Sequence, residues 1–156
     1  MSGEAFRFRP ARESDCAELA RLEAQVEYSP WKEGDFEDAL RARWRCELLE
    51  TESGQIAAWA VILPGVGEAE LLDIGVALPL QGRGLGRAML NRAFEIVRAE
   101  GFPQFLLEVR ESNVRALRLY ETSGFKRVGL RKNYYAAAGG RENAVLMTAE
   151  VEGKTC

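Results

Sequence analysis

The sequence contains no histidine among its 156 residues and only three cysteines, Cys16, Cys46 and Cys156. The absence of histidine excludes a Ser/His/Asp or Cys/His nucleophile system. It also argues against a Cys/His zinc site, so we expect no bound metal. An odd number of widely spaced cysteines predicts inert thiols in a reducing compartment. If the chain is an enzyme, its acid and base must come from Glu, Asp, Tyr, Lys or Cys side chains.

Long apolar runs are missing as well. No run approaches the roughly 20 residues that span a bilayer, and the opening MSGEAFRFRP lacks the apolar segment of a signal peptide. We therefore expect a cytoplasmic protein that does not bind a membrane. The length suits one domain, which we expect over residues 1–151, followed by a frayed tail at residues 152–156.

The net charge of −3 combines two halves of opposite sign. Residues 1–75 carry 8 Lys/Arg and 16 Asp/Glu, net −8, whereas residues 76–156 carry 13 and 8, net +5. An acidic half suits a cationic partner and a basic half a polyanionic ligand, although solvated surface charge is an equally good interpretation of the acidic half. Because the chain is net acidic and has no concentrated basic and aromatic surface, we expect no direct nucleic-acid partner. We expect the protein to be a monomer.

Hydrophobic periodicity predicts a chain in which strands and helices are mixed. Strand patterns lie at residues 6–9, 45–50, 55–63, 70–76, 105–109, 125–130 and 144–151, and helical patterns at 17–24, 32–42, 84–100 and 113–123. Ser14 or Asp15 is a plausible N-cap of the first helix. The helical pattern at residues 84–100 lies between the strand patterns at 70–76 and 105–109. This order implies that the two strands are parallel and are joined by a right-handed crossover. The sequence thus predicts an α/β fold with a mixed, mostly antiparallel sheet and about four flanking helices.

A glycine-rich turn lies at the centre of this organisation. The stretch LLDIGVALPLQGRGLGRAMLNRAFE, residues 71–95, passes from a strand through Gly82, Gly84 and Gly86 into a helix. The first N–H groups of a helix have no intrahelical acceptor and lie at the positive end of its dipole, so they attract phosphate oxygens. Glycines let the backbone approach such a ligand closely. A purely structural turn is the alternative.

The turn resembles a known signature. The segment QGRGLG, residues 81–86, resembles the Q/R-x-x-G-x-G/A pyrophosphate loop of the GNAT superfamily of acetyl-CoA-dependent N-acetyltransferases. A Rossmann or P-loop interpretation fits worse, since there is no G-x-G-x-x-G behind an N-terminal strand and no GK[ST]. The segment LLEVRESNVRALRLYETSGF, residues 106–125, is similar to the next strand of the family, its pantetheine-side asparagine and its A-x-x-L-Y-x-x-x-G-F helix.

Further matches indicate one branch of the superfamily. Pro30-Trp31, LEVR-x-SN at residues 107–113 and NYY…GRE-x-A-x-x-M at residues 133–147 are similar to RimI-type enzymes. Those enzymes acetylate the N-terminal alanine of a small-subunit ribosomal protein. The resemblance covers the chain from about Phe6 to Val151, and it implies acetyl-CoA as co-substrate and a basic protein N-terminus as partner.

The resemblance implies Glu108 as the general base and Tyr120 as the general acid. An N-terminal α-amine has a pKa near 8, so a carboxylate can remove its proton at modest cost. Asp73 is the second choice for the base. A solvent-facing glutamate and a core tyrosine that only makes hydrogen bonds are the alternatives for Glu108 and Tyr120.

For the co-substrate, the resemblance implies that backbone groups of the strand end hold the pantetheine and the thioester oxygen, and that the glycine turn holds the phosphates. Asn113 would hydrogen-bond the pantetheine arm or cap the following helix, or both. Arg83 and Arg87 would add positive charge or lie solvated on the helix. The residues expected to contact acetyl-CoA are Ile74, Gly75, Val76, Gly82, Arg83, Gly84, Leu85, Gly86, Arg87 and Asn113.

Acceptor recognition is assigned to two regions. Tyr134 and Tyr135 are expected in a loop between the last two strands, where a substrate N-terminus could pass, or packed on the sheet. Trp31 would form one side of the acceptor cleft, or it would hold the first two helices together by packing between them. A second possibility is an enzyme that acetylates lysine side chains or a small amine. Its general base would have to deprotonate a weaker acid, because the pKa of a lysine side chain is near 10.4. An acyl-CoA-binding sensor without turnover also remains open.

Overall fold

The computed structural model describes residues 5–137 and 139–151 and contains seven strands and four α-helices there. The strands are β1 (Phe6–Pro10), β2 (Arg45–Thr51), β3 (Ile56–Pro64), β4 (Glu68–Val76), β5 (Gln104–Arg110), β6 (Lys126–Ala137) and β7 (Gly140–Glu150). The helices are α1 (Cys16–Ala24), α2 (Glu33–Arg41), α3 (Leu85–Ala99) and α4 (Val114–Thr122). No helix in these residues is long and apolar enough to cross a membrane. The predicted tail, residues 152–156, lies outside the described residues.

The chain divides into two compact units. The first comprises Asp73–Ala93 together with the residues up to Pro64, and the second comprises Gly65–Leu72 together with the residues from Phe94 onward. Strand β4 contributes its last residues to the first unit and its first residues to the second.

The first unit is built on β3, whose apolar run is buried on both faces from Ile56 to Ile62. Strand β2 pairs antiparallel with β3 and with β1, and the last residues of β4 follow β3 in the strand order. Helices α1 and α2 pack together through their apolar stripes, which bury Leu19, Leu22 and Phe36. The spacing of these apolar residues in the sequence is what predicted both helices.

The start of α1 differs in detail from the predicted cap. A short 3-10 turn, Glu13–Asp15, precedes the helix, which begins at Cys16. The Asp15 carboxylate accepts the N–H of Arg12 at 2.7 Å and so caps the 3-10 turn rather than α1. The same carboxylate pairs with Arg9 at 2.8 Å, and the hydrogen bond from that guanidinium lowers the pKa of Asp15.

The second unit contains the parallel strand pair. Residues Glu68–Leu71 of β4 pair in parallel with β5, β5 pairs antiparallel with β7, and β7 pairs antiparallel with β6. Phe94, Phe105 and Phe125 fill its core with ring centroids 5.3 to 5.6 Å apart. The predicted α/β class is confirmed, with mixed pairing and four helices in the part of the chain that the structure describes.

The predicted loop between the last two strands is wrong. Strand β6 continues to Ala137 and β7 begins at Gly140, so Tyr134 and Tyr135 lie in a strand. The ladder is irregular between Arg131 and Tyr135, where Asn133 adopts a φ of 54°. The side chain of Asn143 accepts the N–H of Asn133 at 3.0 Å across this irregularity. Pairing therefore resumes at Tyr135, opposite Glu142, where the sequence pattern indicates a break.

Candidate functional site

The glycine turn forms an open loop at the start of α3 in the first unit. Gly82 and Gly84 adopt φ angles of 82° and 79°, and a Cβ at either position would meet no atom within 4 Å. These glycines therefore serve the left-handed backbone conformation rather than close packing. The first hydrogen bond of the helix runs from the N–H of Ala88 to the carbonyl of Gly84 at 3.1 Å. The N–H groups of Leu85 and Gly86 precede it and have no acceptor within the helix.

This loop has the donor set and the access that a polyphosphate requires. Residues 81–84 are exposed, Leu85 is buried, and Gly86 is half-buried. The side chains of Arg83 and Arg87 are exposed beside the turn. Backbone N–H groups, the positive end of a helix dipole and two guanidinium groups fit a pyrophosphate.

The end of β4 comes just before the loop along the chain and is hydrogen-bonded to it. The side-chain amide of Gln81 donates to the carbonyl of Val76 at 3.2 Å, and the N–H of Ala77 donates to the carbonyl of Ala57 at 2.9 Å. Gly75 is buried, and a Cβ there would overlap the indole ring of Trp59. Ile74 and Val76 are half-buried. The Val76 carbonyl thus already accepts one hydrogen bond. The pantetheine contacts of Ile74, Gly75 and Val76 stay a prediction.

Asp73, at the same end of β4, forms a cluster with Trp59 and Glu23. The indole N–H of Trp59 donates to Asp73 at 3.2 Å and to Glu23 of α1 at 2.9 Å. Burial first, and then the charge of Glu23 and a hydrogen bond with it, raise the pKa of Asp73 well above its usual value. The side chain of Asp73, the second choice for the base, is thus engaged with core residues of the first unit.

Glu108 lies in the second unit on the half-buried face of β5, with Leu106 and Arg110, while Phe105, Leu107 and Val109 form the buried face. Its side chain is 21% exposed and lies 3.4 Å from the guanidinium of Arg131 on β6. The side chain of Glu108 is thus partly shielded from water.

Several charged and aromatic residues of the second unit surround Glu108. Glu70 of β4 has a raised pKa because of burial and, next, the negative charge of Glu108. Burial and then the same charge raise the pKa of Tyr135 to about 12. Arg131 lies over the ring of Tyr134 at 4.7 Å, and Arg110 lies over the ring of Tyr135 at 4.4 Å. The structure thus brings Tyr134 and Tyr135 together with Glu108, although it places them on a strand rather than in a loop.

Sequence reasoning missed Glu70, Arg110 and Arg131 in this group. Glu70 lies opposite Leu106 in the parallel ladder, two residues from Glu108 on the same face. That proximity depends on the register of β4 and β5, which sequence alone leaves open. Arg110 had a usable signal, because it follows Glu108 at the two-residue period of a strand face.

Tyr120 lies in α4 and is only 7% exposed. Its ring packs edge-on against Phe125 with centroids 5.8 Å apart. This is the contact expected for a core aromatic residue, and a tyrosine packed in this way can still direct its hydroxyl toward a ligand. The acid role of Tyr120 stays a prediction.

Asn113 caps α4, as one of its two interpretations expected. Its side-chain oxygen accepts the N–H of Ala116 at 3.2 Å. This bond uses Oδ1, so the predicted pantetheine contact would use the amide nitrogen of the same side chain.

Trp31 connects the first two helices. Its ring lies 5.2 Å from that of Phe36 in α2, and its backbone N–H donates to Glu23 of α1 at 3.2 Å. These contacts are the ones expected if Trp31 holds the two helices together. The acceptor contact of its half-buried side chain stays a prediction.

The cysteines within the described residues, Cys16 and Cys46, are buried free thiols. Burial raises the pKa of both, that of Cys46 to about 12. Thiols that resist ionisation are poor nucleophiles. Among residues 5–137 and 139–151, no three His, Cys, Asp or Glu residues are grouped so that they could hold a metal ion.

Comparisons with known proteins agree with the loop and the fold. Residues 14–125 match the model of the acetyltransferase (GNAT) family. The [ribosomal protein bS18]-alanine N-acetyltransferase of Escherichia coli K12 is 34% identical over 88% of this chain and 93% of its own length. The enzyme of the same name from Haemophilus influenzae is 37% identical over 85% of this chain and 90% of its own. The crystal structure of the ribosomal-protein-S18-alanine N-acetyltransferase from Escherichia coli superposes with a TM-score of 0.89 at 31% identity, covering 97% of both chains.

Proposed function

Because the chain belongs to the GNAT family of acetyltransferases, we propose that it transfers acetyl from acetyl-CoA to the α-amine of a protein N-terminus. The first candidate acceptor is the N-terminal alanine of ribosomal protein bS18. The observation that carries this proposal is the 34% identity, over 88% of the chain, to an enzyme named for that reaction. The cytoplasm is the compartment in which such an enzyme would meet its substrate.

Direct transfer is the mechanism that suits these side chains. An enzyme-bound thioester would need a reactive thiol, and burial raises the pKa of both Cys16 and Cys46. When bound, acetyl-CoA supplies the acetyl group as a thioester. The amine nitrogen forms the new bond to the acetyl carbon, and the bond from that carbon to sulfur breaks.

Starting from the ammonium form, the nitrogen loses one proton before the attack and a second after the new bond has formed, while the departing sulfur gains one, so one proton is released overall. Glu108 is the proposed acceptor of the proton that the ammonium group loses, directly or through a water molecule. Its place on the half-buried face of β5 supports this role, since the carboxylate is partly shielded from water and still 21% exposed. Tyr120 is the proposed donor to the departing thiolate. This second role rests on the match of its helix to the LY-x-x-x-GF pattern of the family.

The proposed binding of acetyl-CoA uses the first turn of α3. Backbone N–H groups at residues 82–87, with Arg83 and Arg87, would hold the pyrophosphate. Their support is the open loop and the two glycines with positive φ. Backbone groups of Ile74, Gly75 and Val76, and the amide of Asn113, would hold the pantetheine and the thioester oxygen.

The acceptor is proposed to be a basic N-terminal segment. The acidic first half of the chain supports this, with 16 Asp/Glu against 8 Lys/Arg in residues 1–75. Those of these carboxylates that lie at the surface would attract a cationic peptide most strongly at low salt. If acetylation of an N-terminal peptide were insensitive both to salt and to removal of its downstream basic residues, the charge argument would be refuted.

The proposal is tested on the natural set of acceptors. The protein is incubated with labelled acetyl-CoA and a lysate of matched origin, and acetylated termini and lysines are mapped by mass spectrometry. We expect label at one or a few protein N-termini that begin with alanine, bS18 among them. Label confined to lysine side chains or to small amines would contradict the proposal, and so would tight binding of acetyl-CoA without any product.

A further inference from the structure

Two carboxyl groups of the first unit, one buried and one half-buried, have no part in the chemistry proposed above. Glu23 of α1 is 1% exposed, yet it is a glutamate on the apolar face of its helix. Asp73 of β4 lies beside it, and both carboxyl groups accept the indole N–H of the fully buried Trp59, at 2.9 and 3.2 Å. Buried carboxyl groups are retained in proteins only where hydrogen bonds compensate for the loss of water.

Asp73 interacts with Glu23 as well as with Trp59. Burial, the charge of Glu23 and a hydrogen bond with Glu23 raise the pKa of Asp73 well above its usual value, and the charge of nearby Glu27 acts in the same direction. These contacts hold the Asp73 side chain beside Glu23.

The second oxygen of Glu23 points away from the sheet, to the segment between α1 and α2. Oε2 accepts the backbone N–H of Trp31 at 3.2 Å, whereas Oε1 accepts the indole N–H of Trp59. A single carboxylate thus joins a central strand to the backbone of the residue whose side chain is the proposed wall of the acceptor cleft. Trp59 and Asp73 fix its orientation from the sheet side.

We propose that Glu23 is a positioning residue for the acceptor: held by Trp59 and Asp73, its carboxylate fixes the backbone at Trp31 and so sets the acceptor-binding wall. This inference rests on the acceptor role proposed for Trp31. It predicts that loss of the carboxylate weakens acceptor binding while leaving the chemical step and acetyl-CoA binding intact.

Two isosteric substitutions separate this role from mere core packing. Glu23→Gln preserves size, but it replaces with an NH₂ group one of the two oxygens through which Glu23 accepts from Trp31 and Trp59. Asp73→Asn also preserves size, and its oxygen can accept from Trp59 while its NH₂ can donate to Glu23. The first variant breaks the proposed connection, and the second preserves it.

The experiment measures hydrogen exchange of the Trp31 amide by NMR and, well below the Tm of each variant, steady-state kinetics with an alanine-initiated peptide. For Glu23→Gln we expect the Trp31 amide to exchange about tenfold faster and the KM for the peptide to rise about tenfold, the effect of one hydrogen bond to a charged group. We expect kcat and the KM for acetyl-CoA to stay within about twofold of wild type. Asp73→Asn should match wild type in all four quantities.

Two results would overturn the positioning role. One is faster exchange at Trp31 in Glu23→Gln with an unchanged peptide KM, and the other is an equal rise of that KM in Asp73→Asn. If Glu23→Gln does not fold, Glu23→Asp replaces it, because it keeps the charge but shortens the reach to Trp31, and the same two measurements decide. If the wild-type protein leaves the peptide unmodified, the proposed function is refuted instead. If the wild-type protein turns over normally and the Glu23 variant has an unchanged KM for the peptide, the positioning role alone is refuted.

Discussion

The guanidinium of Arg131 lies 3.4 Å from the carboxylate of Glu108, the side chain proposed to receive the proton of the acceptor amine. The ammonium group of an incoming N-terminus and this guanidinium are both cations, and they would compete for one carboxylate. Arg131 is more than half exposed, at 53%, so water weakens its pairing with Glu108. An approaching ammonium can therefore displace it at small cost.

Replacing Arg131 should strengthen acceptor binding. For Arg131→Met we expect the KM for a peptide acceptor to fall about two- to fivefold, the scale of an exposed ion pair. The matched control is Arg127→Met, which removes the same charge from the same strand but pairs with Glu121 at 3.2 Å. Equal KM values for the two variants would show that Arg131 acts only through overall charge.

Removing the carboxylate of Glu108 should slow turnover without affecting the co-substrate. For Glu108→Gln at pH 7 we expect kcat to fall about 10²- to 10⁴-fold, as for loss of a general base, with the Kd of acetyl-CoA unchanged. Glu150→Gln, at the exposed end of β7, is the control. Steady-state kinetics and calorimetric titration supply the two numbers, and a near-wild-type kcat would remove Glu108 from its role.

Gly75 should tolerate no side chain, because its neighbour is the ring of Trp59. A Cβ there would lie 2.9 Å from the indole nitrogen and closer still to two ring carbons. We expect Gly75→Ala to reduce the free energy of unfolding by about 1–3 kcal/mol, the usual cost of overpacking a core. Gly34→Ala in α2, where no atom lies within 4 Å, should raise it by about 0.5–1 kcal/mol. Urea unfolding followed by circular dichroism compares the two, and an unaffected Gly75→Ala would show that the ring of Trp59 gives way.

Asp73 should make stability depend on pH in a defined direction. Its pKa is raised in the folded protein, so the folded state binds its proton more tightly than the unfolded state does. The stability this provides is fully present below about pH 3.9, the unfolded value, and is lost as pH rises through the folded pKa. Asp73→Asn has no such titration. Its free energy of unfolding, relative to wild type, should therefore increase as pH rises from about 4, by at most about 1.4 kcal/mol per pH unit; a pH-independent difference would contradict the raised pKa of Asp73.

The sequence was most informative where the pattern is local. The order of strands and helices, the parallel pairing of β4 with β5 and the open turn at Gly82 and Gly84 all follow from periodicity, connection type and glycine spacing. Tyr134 and Tyr135 are predicted in a loop because they lie between the strand patterns at residues 125–130 and 144–151. The ladder instead crosses Asn133 with a positive φ and resumes.

What sequence reasoning missed depends on contacts distant along the chain. Glu23 and Trp59 are 36 residues apart, and Glu108 meets Arg131 only because β7 lies between β5 and β6. One local signal was present: Glu23 follows Leu19 by four residues and so lies on the apolar stripe of α1. A glutamate in such a position indicates a buried partner, which the structure identifies as Trp59.

The central claim, transfer of acetyl to a protein α-amine, is tested most directly with two peptides of one sequence. Each begins with alanine, follows the N-terminus of bS18 and contains a lysine; one has a free N-terminus and the other a chemically blocked one. Both are incubated with the protein and acetyl-CoA and analysed by intact mass. We predict one acetyl group added to the free peptide and none to the blocked peptide. Acetylation of the blocked peptide at its lysine, or of neither peptide, would contradict the claim.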